Sequence, residues 1–211
     1  MRTHEHEIQY RGENLISKMA EAPFFICGCG ALGSNLIFNM VRQGFKKISV
    51  IDFDRVEKHN IQTQAFGLRD VGMHKAKVLS HNVFYNLDIS VEGHIKKLDE
   101  SNIKKYLLPK NIVVDTFDNS ESRGLVTEYC KDKGLDCLHI GLYKDYAEVI
   151  WNESYRVPKN TNALDVCEYP LARNIIMMAV AVGAEVLIKY LQTDEKRSYT
   201  ITLGDFKISE V

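Results

Sequence analysis

A glycine-rich turn between an apolar run and a helix-forming run constrains the fold more than any other stretch of this chain. The apolar run covers residues 24–27, and glycines follow at positions 28, 30 and 33 in G-x-G-x-x-G register. Gly28 allows a tight turn, Gly30 leaves room for a phosphate against the backbone, and Gly33 lets the helix pack closely on the strand. The free N–H groups and the positive dipole end of that helix favour an anion.

A second apolar strand, residues 47–52, follows the predicted helix and ends in an acid. Asp52 stands 19 positions after Gly33, where a carboxylate can accept hydrogen bonds from ribose hydroxyls. We interpret strand, helix and strand together as a nucleotide-binding βαβ unit. The alternative is a glycine-rich turn that binds no ligand.

Helices alternate with strands over roughly the first 140 residues, and strands at 136–142, 145–151, 199–203 and 206–209 follow with turn signals between them. This order predicts an α/β, Rossmann-like fold with a mainly parallel sheet, helices on both faces and an antiparallel C-terminal extension. The 211 residues suit a single domain over 1–211, with an N-terminal segment at 1–22 and a crossover loop at 152–169. A long helix is predicted at about 170–192.

Composition excludes several classes of function. The formal net charge of −1 supplies no global field that would recruit nucleic acid or an anionic membrane. Five cysteines without Cys-x-x-Cys spacing, and no signal peptide, indicate the reducing cytoplasm and no zinc site of the usual kind. The most apolar segment, residues 175–183, is too short to cross a bilayer and predicts a buried helix.

Polar side chains follow the strands at the edge where a ligand would lie. Asp52 and Asp54 end the second strand, Asp118 follows the strand at 111–115, and Lys75 comes after a long polar loop at 53–73. Carboxylates suit magnesium, and a lysine neutralises charge that develops on phosphate. The residues alone leave two alternatives open: Asp118 could stabilise a helix dipole, and Lys75 could be a solvated helix residue.

Four ordered motifs resemble one family. They are GCGALGS (28–34), VIDFDRVEKHNIQTQ (50–64), GMHKA (72–76) and DTFDNSESR (115–123). In order and approximate spacing they are similar to the ThiF/MoeB-type, ubiquitin-activating-enzyme-like adenylyltransferases, from about residue 8 onward. The resemblance implies ATP- and magnesium-dependent adenylation of the C-terminal carboxylate of a ubiquitin-like or sulfur-carrier protein, or of a peptide. It also implies a homodimer.

The resemblance also implies roles for individual residues. Lys75 would contact phosphates, and Asp118 would coordinate magnesium as a catalytic residue, supported by Asn119 and Arg123. The other positions expected to bind the nucleotide are Gly28, Gly30, Gly33, Asp52 at the ribose, Asp54, Asn60 and Gln64.

Two departures from the family pattern bear on activity. Thr63 stands where the family usually has an arginine that faces phosphate, and Arg69, or Arg11 from a partner subunit, is a candidate replacement. The paired zinc cysteines of many members are also absent, which implies a zinc-free branch or a trimmed scaffold.

Cys167 lies near the position where some relatives keep a cysteine for thioester or persulfide chemistry, and it is a candidate nucleophile. The alternative is an inert thiol, because the adjacent acids Asp165 and Glu168 would raise its pKa. Cys27, Cys29, Cys130 and Cys137 are predicted to be packing residues.

Two other functions compete with adenylation. The first is a non-catalytic partner in a heterodimeric activating enzyme, which Thr63 favours and the set Asp52, Lys75 and Asp118 opposes. The second is an NAD-dependent dehydrogenase, which shares the glycine turn and Asp52. No later motif suits hydride transfer, and the loop at 53–73 has no explanation in a dehydrogenase.

Overall fold

The computed structural model describes residues 4–158 and 171–211. The strands in this part of the chain are Pro23–Cys27 (β1), Lys47–Ile51 (β2), Val91–His94 (β3), Ile112–Asp115 (β4), Cys137–Tyr143 (β5), Tyr146–Trp151 (β6), Tyr199–Thr202 (β7) and Lys207–Glu210 (β8). The helices there are Glu5–Arg11 (α1), Glu13–Glu21 (α2), Ala31–Gln43 (α3), Lys75–Leu87 (α4), Ile103–Tyr106 (α5), Ser120–Lys133 (α6) and Arg173–Thr193 (α7).

The strands form one sheet in the order β3-β2-β1-β4-β5-β6-β7-β8. Pairing is parallel from β3 to β5 and antiparallel from β5 to β8. The prediction of an α/β, Rossmann-like fold with an antiparallel extension is therefore confirmed. The strand order reverses between β1 and β4, and sheets of this kind bind ligands in the crevice beyond the carboxyl ends of the strands at such a switch point.

Helices cover both faces of the sheet because the central strands are apolar on both sides. In β1, Phe24 and Ile26 belong to the larger core cluster, which also contains the buried faces of α3, α4 and α7. Phe25 and Cys27 point the other way, into a smaller cluster that contains Val126 and Cys130 of α6. A strand buried on both faces is expected at the centre of a parallel sheet.

The loop at 53–73 is more ordered than predicted, since it contains 3₁₀ turns at Lys58–Gln62 and Leu68–Asp70. In the first turn the Glu57 backbone N–H donates to Asn60 Oδ1 over 2.8 Å. In the second, the Gly67 N–H donates to Asp70 Oδ2 over 2.7 Å. Local side-chain bonds of this kind replace regular backbone pairing in turns.

The N-terminal segment predicted at 1–22 contains two helices in its described part, α1 and α2. Residues 5–11 form α1, and its Arg11 side chain donates to Glu185 of α7 and to Glu7. Leu15 and Met19 of α2 are buried in the core. The polar end of the chain is therefore fixed to α7 by charge and apolar contact.

The apolar segment 175–183 lies within α7 and contributes Ile175, Ile176, Ala179 and Val180 to the core, so the prediction of a buried helix is confirmed. By length and composition alone, the 21-residue α7 could cross a membrane. Half of its most apolar window is buried inside the protein. Gly183 shows the closeness of this packing, because a Cβ there would lie 2.6 Å from Ile140 Cδ1 of β5.

Candidate functional site

The glycine turn after β1 has the shape of an anion cradle. Gly28 adopts a φ of +98°, and a Cβ on Gly33 would lie 2.1 Å from the Gly28 carbonyl oxygen. Among the described residues, a Cβ on Gly30 would meet nothing within 4 Å, and no side chain caps the start of α3. The first N–H groups of α3 therefore adjoin open space, as a phosphate site at a helix N-terminus requires.

Asp52 joins the end of β2 to the glycine turn. Its Oδ2 accepts the Cys29 backbone N–H over 2.7 Å, and its Oδ1 accepts the Asp54 N–H over 2.8 Å. Burial raises the pKa of this carboxyl, while the positive charge of Lys75 opposes the rise. A carboxylate has about four acceptor positions, so Asp52 keeps capacity for ribose hydroxyls.

Lys75 begins α4 and is buried beneath the polar loop. Its Nζ donates to Asp54 Oδ2 over 3.1 Å, and its backbone N–H donates to the Asp54 carbonyl over 2.9 Å. Only 9% of the Lys75 side chain is exposed, against 49% for Asp54. The alternative of a solvated helix residue is therefore wrong, and Lys75 adds a fixed positive charge beside Asp52.

Two residues that the sequence analysis did not single out fold the polar loop over α3. Asn35 Nδ2 donates to the Thr63 carbonyl over 2.8 Å, and Ser34 Oγ accepts the Ala65 N–H over 3.0 Å. Ser34 and Asn35 are polar neighbours in an otherwise apolar stretch of α3, and this was the available sequence signal. Their bonds place residues 60–65 beside the glycine turn.

The middle of this loop contains a side-chain acceptor that no described residue bonds. Gln64 Oε1 is buried and has no hydrogen bond to any described residue. A buried amide oxygen without a partner is costly, so a ligand donor would stabilise it. Arg173 of α7 donates from Nη1 to the Gln62 carbonyl over 3.1 Å. The guanidinium of Arg173, which no sequence motif indicated, therefore lies next to Thr63.

The turn after β4 brings Asp118 to the same edge of the sheet. Thr116 donates to the Cys27 carbonyl from its backbone N and from Oγ1, each over 2.9 Å. Asp118 is exposed beyond this turn. The residue that caps α6 is Asn119, whose Oδ1 accepts the Ser122 N–H over 2.8 Å. The side chain of Asp118 is therefore not the helix cap and is open to a ligand.

A buried ionic cluster supports the turn from below. Arg123 is 6% exposed, and its guanidinium donates to the Tyr155 hydroxyl over 2.9 Å and to the Ile140 carbonyl over 2.8 Å. It also lies 3.7 Å from Asp115 Oδ2, which makes a 2.8 Å hydrogen bond with His139 Nδ1. The sequence analysis assigned a supporting role to Arg123 but missed His139 and Tyr155, which belong to no motif.

The side chains of the remaining candidates are buried in the core, lie apart from this edge or fall outside the described residues. Cys27 and Cys29 are fully buried, and burial raises the pKa of both thiols, as suits packing residues. Arg11 is ion-paired with Glu185 at 2.7 Å in its own chain, and Arg69 is exposed on a 3₁₀ turn. Cys167 and the rest of residues 159–170 lie outside the described part of the chain.

Comparison with known proteins agrees with this geometry. The sequence model of the ThiF family matches residues 4–200. SAMP-activating enzyme E1 of Haloferax volcanii is 33% identical over 121 residues, which cover 56% of this chain and 45% of that protein. Sulfur carrier protein ThiS adenylyltransferase of Bacillus subtilis is 31% identical over 126 residues, or 58% of this chain and 38% of that protein.

A solved structure of E. coli MccB with ATP superimposes with a TM-score of 0.80 at 20% identity, and covers all of this chain and 71% of that chain. At this identity the superposition shows the fold alone. The matched segments span less than half the length of the two curated relatives.

Proposed function

Because the chain belongs to the ThiF family, we propose that it is an adenylyltransferase. Its reaction would be the ATP- and magnesium-dependent adenylation of the C-terminal carboxylate of a ubiquitin-like protein, a sulfur-carrier protein or a peptide. One observation carries the proposal: the glycine cradle, Asp52 with Lys75, and Asp118 meet at the carboxyl ends of β1, β2 and β4. The names of relatives that activate SAMP and ThiS support the class of substrate.

The described side chains fit a nucleotide along this edge. The space beside Gly30 and the first N–H groups of α3 suit the phosphates. The remaining acceptor positions of Asp52 suit ribose hydroxyls, and Gln64 Oε1 offers the acceptor that lacks a partner. Asn60 acts through the 3₁₀ turn that its side chain closes.

Asp118 would hold the magnesium ion. Magnesium is commonly bound by one or two carboxylates together with substrate phosphates, and Asp118 is an exposed carboxylate in the turn after β4, which is bonded to the end of β1. When bound, the ion would neutralise charge on the phosphate oxygens.

The chain's own groups account for the rate enhancement by positioning and by charge. A carboxylate is a poor nucleophile that must approach a polyanion. Its oxygen forms a bond to the α-phosphorus while the bond to the bridging oxygen of pyrophosphate breaks, so pyrophosphate leaves with the electron pair. Lys75 and the start of α3 stabilise the negative charge of this transition state, and the cradle holds the two reactants in line.

Replacement of Lys75 by methionine would test its contribution to this charge balance. The variant Lys75→Met keeps most of the apolar stem and removes the ammonium group, so we expect the rate of ATP–pyrophosphate exchange to fall by about 100-fold. Lys77→Met is the matched control, because Lys77 is an exposed residue of the same helix. Equal rates in the two variants would remove Lys75 from the mechanism.

Calorimetric titration with ATP, with and without magnesium, and with NADH tests the proposal against its two competitors. We expect saturable ATP binding that magnesium tightens, and no saturable binding of NADH. NADH binding without ATP binding would favour the dehydrogenase. Failure to bind ATP, even with a partner subunit present, would favour the non-catalytic partner.

Further parts of the proposal rest on the composition and length of the sequence and on the family resemblance. The protein would act in the cytoplasm as a homodimer over a single domain of residues 1–211, and Cys167 would accept the activated acyl group. Sedimentation analysis tests the dimer. Transfer of the acyl group from the adenylate to the Cys167 thiolate would form a thioester as AMP leaves. A Cys167→Ala variant that keeps pyrophosphate exchange but loses a covalent acyl adduct that added thiols cleave would support the role of the thiol.

A further inference from the structure

His139 on β5 is enclosed by polar partners from several elements. Its Nδ1 lies 2.8 Å from Asp115 Oδ2 on β4, and its Nε2 lies 2.7 Å from Asn152 Oδ1, just after β6. The Tyr155 ring stacks on the imidazole at 3.8 Å between centroids and 5° between planes. His139 and Asp115 are both 0% exposed. A buried side chain with this many specific partners is held in one orientation.

The surroundings of Asn152 fix the direction of one of these bonds. Asn152 Nδ2 donates to the Thr127 carbonyl of α6 over 3.2 Å, so the amide presents its oxygen to the ring. His139 Nε2 therefore donates to Asn152 Oδ1, and Nδ1 donates to the Asp115 carboxylate, so both ring nitrogens carry a proton in this arrangement. The ring is a rigid spacer between α6 and the end of β4.

The two carboxylate oxygens of Asp115 bond different groups: one bonds the His139 imidazole and the other bonds the backbone of the turn after β4. While Oδ2 meets His139, Oδ1 accepts the Phe117 backbone N–H over 3.0 Å. This second bond bends the chain directly before Asp118. The Thr116 bonds to Cys27 join the same turn to the glycine cradle. A change in the orientation of the Asp115 carboxylate therefore alters the segment that carries Asp118.

We propose that His139 is a positioning residue for the nucleotide site: it holds the Asp115 carboxylate in the orientation that shapes the turn at residues 115–118. The part of this inference that concerns metal binding by Asp118 rests on the proposed function. Partners that orient a ligand in this way usually change metal affinity by about 10- to 100-fold when they are lost. His139 itself makes no contact with the phosphate space.

Two isosteric substitutions separate positioning from general packing. In His139→Asn the amide nitrogen falls near the place of Nδ1 and can still donate to Asp115. In His139→Gln it falls near the place of Nε2 and reaches Asn152 instead. Both variants leave buried polar atoms imperfectly paired and lower the unfolding temperature. Only His139→Gln loses the bond to Asp115.

Amide hydrogen exchange, measured by NMR without any ligand, reports how often the backbone hydrogen bonds of this turn open. We expect His139→Gln to speed exchange at the Phe117 amide by about 10-fold or more, while His139→Asn stays within about threefold of the natural protein. The Ser122 amide, which bonds to Asn119 Oδ1 in the same region, is the internal reference and should not change. If His139→Gln does not fold, Asn152→Ala frees the other side of the ring and should act in the same direction.

The second experiment measures the binding of manganese to the ATP complex by electron paramagnetic resonance. We expect His139→Gln to weaken manganese binding by about 10-fold, with ATP affinity in the absence of metal unchanged, and His139→Asn to keep the metal affinity. Equal effects of both variants on the Phe117 and Ser122 amides, or unchanged metal affinity in His139→Gln, would reduce His139 to a packing residue. If the natural protein binds no ATP, the proposed function fails. The amide hydrogen exchange experiment needs no ligand and still decides whether His139 holds the turn.

Discussion

Replacing Asp118 by asparagine will reduce magnesium-dependent ATP–pyrophosphate exchange by roughly 1000-fold, to the limit of detection. Asparagine keeps the size of the side chain and one oxygen but removes the negative charge that would bind the ion. The turn itself should survive in this variant, because it is held by hydrogen bonds to the side chains of Asp115, Thr116 and Asn119. None of these three bonds uses the Asp118 carboxylate. The unfolding temperature should therefore stay close to that of the natural protein.

Glu121→Gln is the matched control for this experiment. Glu121 is an exposed acid in the first turn of α6, three positions beyond Asp118, so its loss removes the same charge from the same region. We expect Glu121→Gln to catalyse ATP–pyrophosphate exchange at the normal rate. We expect Asp118→Asn to bind ATP with an affinity that no longer depends on magnesium. Retention of magnesium-dependent exchange in Asp118→Asn would exclude Asp118 as the metal ligand.

Adding a methyl group at each of three glycines will have three different results. In Gly33→Ala the new Cβ would lie 2.1 Å from the Gly28 carbonyl oxygen, which is backbone and cannot rotate away. We expect a loss of about 2–3 kcal/mol of folding stability and an unfolding temperature lower by about 5–10 °C. ATP binding should be lost with it, since the cradle must open.

Gly30→Ala should leave the fold intact and remove ATP binding. Its Cβ would meet no atom of residues 4–158 or 171–211 within 4 Å, so the space that it fills is the space assigned to phosphate. Gly124→Ala on α6 is the control: its Cβ also meets nothing within 4 Å, and alanine should stabilise the helix by about 0.5–1 kcal/mol. Calorimetry for stability and titration for ATP would measure all three. Normal ATP affinity in Gly30→Ala would mean that the cradle holds no phosphate.

The parts of the structure that the sequence predicted are those governed by local spacing. The glycine register, the apolar β1 and β2 and the alternation of helices with strands specify a βαβ unit within a few dozen residues. The sequence also predicted that Asp52, Lys75 and Asp118 share one edge of the sheet, because the carboxyl ends of parallel strands lie on the same side. Each of these inferences needs the order of the elements, but not their packing.

The parts that the sequence did not predict depend on contacts between distant residues. The pair His139 and Asp115 meets only because β4 and β5 align in one parallel register, and a single histidine in a strand carries no local signal. The anchoring of α1 depends in the same way on Arg11 reaching Glu185, far along the chain. The position of the polar loop on α3 comes from bonds to Ser34 and Asn35, which lie outside the loop itself.

The most direct test of carboxylate adenylation by this protein is ATP–pyrophosphate exchange by the natural protein with proteins that end in Gly-Gly and with short peptides. The matched controls are the same substrates with an amidated C-terminus. We predict exchange that requires magnesium and a free C-terminal carboxylate, and that no amidated substrate supports. Exchange that proceeds equally with amidated substrates, or a protein that binds no ATP, would contradict adenylation of a carboxylate at this site.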